Sequence, residues 1–166
     1  MDLLIRDATP DDAAQIVSVF NPIIEAGVYT VFETPFTVDF ERSYIEGLKE
    51  RAIFLVAVRA GDDTIVGFQG MEPFATYTRA FDHVGVLGTY VDLDCRGQGV
   101  SKRLFPATLE VARRKQYEKI FTYIRADNPA ALTTYQNQGF RIVGRAERQA
   151  KVNGRYVDEI IVERLL

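Results

Sequence analysis

Residues 94–103, Asp-Cys-Arg-Gly-Gln-Gly-Val-Ser-Lys-Arg, combine glycine and positive charge directly before an amphipathic helical pattern. Gly97 and Gly99 lack Cβ atoms, so backbone N–H groups can converge there on one ligand. The N-terminus of the helix that follows adds a partial positive charge. These features predict a site for phosphate or pyrophosphate, to which Arg96 and Lys102 could add charge.

The same glycines are also compatible with a plain turn between a strand and a helix. The segment is not a P-loop, because the Gly-Lys-Ser/Thr ending of that motif is missing. A dinucleotide-binding fingerprint fits poorly, since Lys102 follows where a third glycine is needed and three predicted strands precede the strand that leads into the loop.

A second group of residues lies downstream at 128–140, Asn-Pro-Ala-Ala-Leu-Thr-Thr-Tyr-Gln-Asn-Gln-Gly-Phe. Asn128 is placed to cap a helix, and Gly139 is placed to end it in the left-handed conformation. Ala131 and Tyr135 are four residues apart and therefore share one face of that helix. Taken alone, the pattern indicates a capped helix with Tyr135 as a half-buried packing residue.

Hydrophobic periodicity and turn signals predict an α/β protein with a mixed sheet and helices packed on it. The first helix begins with Thr9 as its N-cap, and Pro22 is expected to kink or interrupt it. Residues 28–36 are predicted to be irregular. The other predicted helices are residues 38–51, 99–116 and 129–138. The predicted strands are residues 3–5, 53–58, 64–70, 84–93, 120–124, 141–150 and 155–162.

Composition limits the class of protein. The 166 residues contain 20 Lys and Arg against 23 Asp and Glu, a net charge of −3. DNA-binding domains are usually basic, so nucleic acid is not an expected partner. Neither an apolar run long enough for a membrane span nor a basic leader at residues 1–6 is present, so we expect no membrane association or signal peptide. With the single Cys95, these features predict a cytoplasmic protein of one domain, residues 1–166.

Taken together, the two segments resemble the GNAT superfamily of acyl-CoA-dependent N-acyltransferases. Arg96 and Gly99 match its Arg/Gln-x-x-Gly-x-Gly/Ala loop, with Ser101 where Gly or Ala is usual. Its Asn-x-x-Ala-x-x-x-Tyr-x-x-x-Gly-Phe pattern is matched in full by residues 128–140. The resemblance implies the GNAT fold: a mixed, mostly antiparallel sheet, splayed between two parallel strands and flanked by about four helices.

The resemblance also implies acetyl-CoA as co-substrate, with no metal. Its pantetheine would lie between the two parallel strands that end near Val91 and Ile124. The backbones of Tyr90 and Val91 would pair with it, and the Val91 N–H would polarise the thioester carbonyl, where charge builds during acyl transfer. The residues implied to bind acetyl-CoA are Tyr90, Val91, Arg96, Gly97, Gln98, Gly99, Val100, Ser101, Lys102, Asn128, Ala131 and Tyr135.

By the same resemblance, Tyr135 lies near the thioester sulfur and acts as general acid, donating a proton to the departing thiolate. A phenol with an ordinary pKa of about 10 is protonated at neutral pH, as this role requires. The alternative is that Tyr135 only stacks along the pantetheine and transfers no proton.

Within the superfamily, the chain is most similar to the phosphinothricin acetyltransferase-like branch. The likeness rests on residues 5–9, on Phe20-Asn21 and on residues 89–91. That branch commonly has a glutamate on the central strand that deprotonates the amine, and Val86 occupies that position here. Phosphinothricin is therefore not assigned as the substrate, and another base or a chain of waters must accept the proton.

Three residues near an aromatic loop are candidates for that base: Glu72, Asp82 and His83. An imidazole suits proton transfer near neutral pH, although a histidine at the start of a strand is often structural. Glu72 would also fit as a solvated charge at a strand end. The base stays unassigned at this stage.

The acceptor site is expected to be rich in aromatic side chains, with Phe81 also in its loop. These rings favour a small or flat amine over a long cationic one, although dimer contacts or ordinary core packing would account for them as well. The residues expected to bind the acceptor are Tyr29, Phe32, Glu72, Phe74, Tyr77 and His83.

The sequence therefore predicts an N-acetyltransferase that moves an acetyl group from acetyl-CoA to a primary amine of a small molecule, an amino acid or analogue, by direct attack in a ternary complex. One alternative is a non-catalytic acyl-CoA sensor with the same fold, and another is a protein or peptide N-acetyltransferase. The presence of Tyr135 favours the enzyme, and Val86 favours the sensor. Relatives are often dimers, which makes a homodimer a candidate assembly.

Overall fold

The sheet consists of two antiparallel groups of strands that meet along one parallel pair. The structure is a computed structural model that describes residues 2–166. The strands are β1 (Leu3–Asp7), β2 (Ile53–Arg59), β3 (Thr64–Pro73), β4 (Val84–Val91), β5 (Lys119–Arg125), β6 (Arg141–Val152) and β7 (Arg155–Leu165). Their order across the sheet is β1-β2-β3-β4-β5-β7-β6, and every pair except β4–β5 is antiparallel. This sheet confirms the predicted fold.

Four α-helices cover the sheet: α1 (Ala13–Glu25), α2 (Val38–Glu46), α3 (Val100–Arg114) and α4 (Pro129–Asn137). On one face, α1 and α2 bury an apolar cluster that includes Phe20, Phe54 and Phe68. On the other face, Leu104 and Phe105 belong to a second cluster. Full burial of one such side chain contributes about 1.5–3 kcal/mol, so these two layers hold the helices against the sheet.

The first helix differs from the sequence prediction at Pro22. Thr9 begins the segment as expected, and its backbone N–H donates to the Asp12 carboxylate at 2.8 Å, which also pairs with Arg6 at 2.7 Å. The helix then continues through Pro22 to Glu25 without interruption. Because the α1 face on the sheet carries several fully buried side chains, packing compensates for the backbone hydrogen bond that proline cannot donate.

The second helix is shorter than predicted, since α2 ends at Glu46 and not at residue 51. The Gly47 N–H donates to the carbonyls of Ser43 and Tyr44 at 3.0 and 3.2 Å, which closes the last turn. Residues 48–51 then form a turn into β2. Among the described residues, no helix is long and apolar enough to span a lipid bilayer.

Strands β4 and β5 pair over only two positions before they diverge. Val84 lies opposite Lys119 and Gly85 opposite Ile120, and the pairing ends there. Both strands continue for six and five further residues, up to Val91 and Arg125. The sheet is therefore open along a V-shaped gap in its middle, as the resemblance implied.

Candidate active site

Successive residues of β4 direct their backbone N–H and C=O groups alternately to the two neighbouring strands, β3 and β5. The Asp92 N–H donates to the Val66 carbonyl at 3.0 Å, and the Phe74 N–H donates to the Val84 carbonyl at 2.9 Å. These bonds place the even-numbered positions of β4 in hydrogen-bonded pairs with β3. Because alternate residues of a strand direct their backbone groups to opposite edges, the odd-numbered positions face β5.

This alternation decides which backbone groups enter the gap. The Leu87 carbonyl accepts a hydrogen bond from Thr122 Oγ1 of β5 at 2.7 Å, across the point where the strands separate. Beyond it, the backbone groups of Thr89 and Val91 are directed into the open gap. Those of Tyr90 are directed to β3, so Tyr90 borders the gap through its other atoms.

The glycine-rich loop forms the far end of this gap. Gly97 and Gly99 have φ angles of 72° and 85°, a conformation that favours glycine. A Cβ at either position would meet no described atom within 4 Å, so the space in front of the loop is open. With the N-terminus of α3 beside it, this loop has the donors and the room that a pyrophosphate requires.

A cleft of about 350 Å³ runs from the loop to the middle of the sheet. Eleven of the twelve residues implied to bind acetyl-CoA border it: Tyr90, Val91, Arg96, Gly97, Gly99, Val100, Ser101, Lys102, Asn128, Ala131 and Tyr135. The exception is Gln98, whose side-chain amide donates to the Asp94 carbonyl at 2.9 Å.

The loop that follows α1 forms one wall of the same cleft. The Arg96 guanidinium stacks on the Tyr29 ring with 3.8 Å between Cζ and the ring centroid. Asn128 caps α4 by accepting from the Ala131 N–H at 3.2 Å, and its amide approaches the Tyr29 carbonyl at 3.5 Å. The two segments singled out by the sequence are therefore both in contact with Tyr29.

Tyr135 lies at the point where β4 and β5 separate. Its hydroxyl is 2.9 Å from Thr89 Oγ1 and 3.4 Å from the Leu87 carbonyl oxygen, and the side chain is 6% exposed. Burial raises the pKa of Tyr135, and the Thr89 hydrogen bond lowers it by a smaller amount. The phenol therefore keeps its proton at neutral pH.

Two fully buried polar residues, which the sequence analysis missed, support this arrangement. The Gln69 amide nitrogen donates to Thr89 Oγ1 at 2.8 Å, and Thr108 Oγ1 donates to the Gln69 carbonyl oxygen at 2.6 Å. A glutamine inside the otherwise apolar strand of residues 64–71 was the available signal. The chain of hydrogen bonds joins α3, β3 and β4 to the phenol of Tyr135.

A larger cleft of about 580 Å³ lies beneath α2. Gly70 and Gly88 are paired in its floor, where the absence of side chains leaves room. The next pair along the same face is Glu72 and Val86. The aromatic side chains that line this cleft are Phe20, Tyr29, Phe32, Phe36, Phe40, Tyr44, Phe54, Phe68, Tyr90, Tyr123 and Tyr135.

Comparison with known proteins identifies this arrangement. The model of the acetyltransferase (GNAT) domain matches residues 5–161. The chain belongs to the GNAT acetyltransferase family. It is an acetyl-CoA-dependent N-acetyltransferase.

Individual GNAT relatives support this assignment over the full length. An L-methionine sulfoximine/L-methionine sulfone acetyltransferase of Pseudomonas paraeruginosa is 22% identical over 161 residues, 95% of this chain and 91% of its own. A ribosomal-protein-alanine N-acetyltransferase from Brucella melitensis superposes with a TM-score of 0.91 at 27% identity, covering 98% and 99% of the two chains. A phosphinothricin acetyltransferase from Sinorhizobium meliloti, solved with acetyl-CoA, gives 0.90 at 20% identity over 100% and 89%.

The structure brings only some of the expected acceptor residues to this GNAT site. Tyr29, Phe32 and Glu72 border the larger cleft. Phe74 and Tyr77 instead pack around Phe81 with ring centroids 5.4 and 6.2 Å away, and neither borders a cleft.

His83 and Asp82 also lie away from both clefts. They border a separate surface depression together with Arg51 and Arg113, and Asp82 pairs with Arg79 at 3.4 Å. Of the three residues considered as the base, the structure therefore places only Glu72 at the cleft. The aromatic segment packs at the start of β5, where Phe74 contacts Phe121, and His83 lies with it away from the clefts.

Three carboxylates border the larger cleft. They are those of Glu41, Glu72 and Glu159. Glu41 is 3% exposed, and burial raises its pKa to about 7. No local signal in the sequence marks Glu41, because its approach to the sheet depends on how α2 packs.

Proposed function

We propose that this GNAT enzyme acetylates the primary amine of a small molecule by direct attack of the amine on the acetyl thioester within a ternary complex. One observation carries the proposal: Tyr135 sits where the cleft from the glycine loop meets the aromatic cleft under α2. The residues that border both clefts are Tyr29, Thr89, Tyr90, Asn128, Ala131 and Tyr135. A donor on one side and an acceptor on the other would meet beside the phenol.

The chain offers separate groups to each part of acetyl-CoA. The backbone N–H groups of residues 97–101 would hold the pyrophosphate, and Thr89 and Val91 would direct backbone groups to the pantetheine. The Val91 N–H is proposed to polarise the carbonyl as charge develops on its oxygen. Acetyl-CoA supplies an activated acyl group and a thiolate that leaves when the carbon–sulfur bond breaks.

Tyr135 is proposed as the general acid that protonates the leaving thiolate. Its hydroxyl has two partners in the structure, Thr89 Oγ1 at 2.9 Å and the Leu87 carbonyl at 3.4 Å. Because Gln69 already donates to Thr89, the Thr89 proton is free to point at the phenol oxygen. The phenol proton is then left with only the long contact to Leu87 and is available for transfer.

Glu72 is proposed as the residue that takes the proton from the attacking amine. It lies directly opposite Val86 in the β3–β4 register, so it faces the position where the related branch carries its glutamate. Glu72 is solvent-exposed at its strand end, which lets it pass the proton to water.

The size and lining of the cleft support a small acceptor. A volume of about 580 Å³, closed in by aromatic rings, fits a metabolite-sized amine better than an extended peptide. The relative named as a methionine sulfoximine and methionine sulfone acetyltransferase points the same way. The amino acids and analogues that the sequence favoured are therefore tested beside other small amines in one acceptor panel.

We also propose a cytoplasmic homodimer. Its support is the edge strand β6, where Ile142 and Val143 are exposed, since unprotected strand edges invite pairing with another chain. The single Cys95 is buried and unpaired, which suits a reducing compartment. Sedimentation equilibrium tests the assembly: we expect a dimer that Val143→Glu weakens, and a monomer at micromolar concentration would refute it.

Release of CoA thiol across a panel of acceptors tests the function. The panel contains amino acids, amino-acid analogues, diamines, aminoglycosides and short peptides, each assayed with acetyl-CoA. We expect at least one small amine to be acetylated well above the background hydrolysis. A peptide as the sole acceptor would contradict the proposal, and so would no acceptor at all while acetyl-CoA still raises the unfolding temperature.

A further inference from the structure

Glu41 is a buried carboxylate without a partner in the wall of the acceptor cleft. The residue is 3% exposed, and its side-chain oxygens make no hydrogen bond or ion pair with any of residues 2–166. No described side chain has a nitrogen or oxygen that is both unpaired and fully sealed from solvent. The Glu41 oxygens must therefore still reach open space, and the cleft is the space that this residue borders.

We infer that Glu41 is the binding site for a second ammonium group of the acceptor, and that the acceptor is a diamine without a carboxylate. This inference rests on the proposed function, because it names the class of amine that reacts beside Tyr135. One amino group would attack the thioester while the other pairs with Glu41.

The other charged residues that border the cleft also favour a diamine as the acceptor. Glu72 and Glu159 border the same space as Glu41, so the cleft is negative before an acceptor enters. Burial raises the pKa of Tyr44 to about 12, and the charges of Glu72 and Glu41 add to this effect. Tyr44 therefore lies near both carboxylates. A cation is the ligand that relieves this concentration of negative charge.

The cleft has no free cation for a carboxylate. Among the described residues that border it, the only positive group is Arg125. Its guanidinium makes two hydrogen bonds to Asp127, at 2.7 and 2.8 Å, and donates to the carbonyls of Gly27 and Thr30 at 2.9 Å each. The carboxylate of an amino acid would therefore enter a negative cleft without a counter-charge.

Aromatic rings complete the site around Glu41. Phe40 and Tyr44 of the same helix border the cleft with it, and Phe54 and Phe68 line the strands beneath α2. Ring faces attract ammonium groups, and they leave few competing hydrogen-bond partners for the carboxylate. An unpaired buried carboxylate is costly, so an incoming ammonium gains from removing that cost.

The test compares amines that differ only in the second charge. Initial rates with 1,4-diaminobutane and with butylamine are measured for the wild type, for Glu41→Gln and for Glu46→Gln. Glu46 is an exposed glutamate at the end of the same helix and serves as the matched control. Glutamine keeps the size of the side chain and removes its charge.

We expect the wild type to prefer the diamine by about 10- to 100-fold in kcat/KM, the range of a charged hydrogen bond. Glu41→Gln should lose that preference, because its KM for the diamine rises by much more than its KM for butylamine. Glu46→Gln should behave like the wild type. Equal use of both amines by the wild type, or an equal loss with both amines in Glu41→Gln, would overturn the inference.

A binding measurement separates this inference from the proposed function. The unfolding temperature is recorded with CoA present, with and without 1,4-diaminobutane. A rise in the wild type that is absent in Glu41→Gln supports the diamine site even if no amine is acetylated, in which case only the proposed function fails. Acetylation of another amine, with no diamine binding to the wild type, rejects the diamine site and keeps the function.

Discussion

The hydroxyl of Tyr135 and Oγ1 of Thr89 lie 2.9 Å apart and connect α4 to β4 across the gap in the sheet. The Gln69 amide occupies one acceptor position of Thr89, and Thr108 fixes the orientation of that amide from α3. Polar groups buried in such a chain are costly to leave unpaired, so the fold itself holds the phenol in place.

Replacement of Gln69 tests this support. Gln69→Met keeps the volume, but it removes the hydrogen-bond partner of Thr108 and one of the two partners of the Thr89 hydroxyl, whose other partner is Tyr135. We expect kcat to fall about 10-fold with little change in KM for acetyl-CoA, and stability to fall by about 1–3 kcal/mol. Steady-state kinetics and urea unfolding measure both effects. Thr108→Val is the control for stability, because it removes the hydroxyl farthest from Tyr135 and leaves the Gln69–Thr89 hydrogen bond in place. An equal loss of kcat in Thr108→Val and Gln69→Met would show that kcat follows the loss of stability and not the position of Tyr135.

Replacement of Gly99 tests the glycine loop. Gly99→Ala puts a Cβ on a residue with φ of 85° and into the open space in front of the loop. We expect KM for acetyl-CoA to rise at least about 10-fold, since one strong anion contact is worth that much. Gly61→Ala is the matched control, because Gly61 has φ of 106° and equally open surroundings in the β2–β3 turn. If both variants raise KM alike, backbone strain and not the anion site accounts for the effect.

The three residues considered as the base differ in their expected response. Glu72→Gln should lower kcat/KM at neutral pH by about 100-fold, the usual range for loss of a general base. Asp82→Asn and His83→Ala should keep wild-type rates, because both residues lie away from the clefts. The rates of all three are measured against pH. A large loss in His83→Ala with Glu72→Gln unaffected would reverse the assignment.

The raised pKa of Glu41, about 7, makes stability depend on pH. Below the unfolded-state pKa of about 4.5 the carboxyl is protonated in both states, and stability is complete. Between pH 4.5 and 7 the carboxyl ionises in the unfolded chain while the folded chain keeps its proton, so stability falls across this range and levels off above the folded-state pKa. Glu41→Gln removes this loss, and its unfolding temperature should exceed that of the wild type by a margin that grows from pH 5 to pH 8. A constant margin would contradict the burial of an unpaired carboxylate.

Local signals in the sequence predicted most of the scaffold. The glycine loop and the Asn128 cap both occur where the motifs placed them, since short-range backbone geometry decides them. The helix through Pro22 was not predicted, because tertiary packing of α1 overrode the local preference of proline. The length of α2 was also wrong, since Gly47 and not residue 51 closes its last turn.

The acceptor cleft was harder to predict because its walls come from distant parts of the chain. Glu41 reaches it only through the packing of α2 on the sheet, and two of the acceptors that occupy the Arg125 guanidinium, the carbonyls of Gly27 and Thr30, lie about a hundred residues away. The aromatic segment that carries His83 was predicted to line the acceptor site, but it lies away from both clefts. Its rings suggested a pocket, whereas Phe74 packs on Phe121 at the end of the sheet.

Turnover by Tyr135→Phe tests the central claim most directly. Phenylalanine keeps the ring that packs on Phe105 and removes only the hydroxyl. With the best amine from the acceptor panel, we predict that kcat falls about 100-fold or more while acetyl-CoA still binds with wild-type affinity by calorimetry. Wild-type kcat in this variant would contradict the account, because the phenol would then be a packing group and another group would protonate the leaving thiolate.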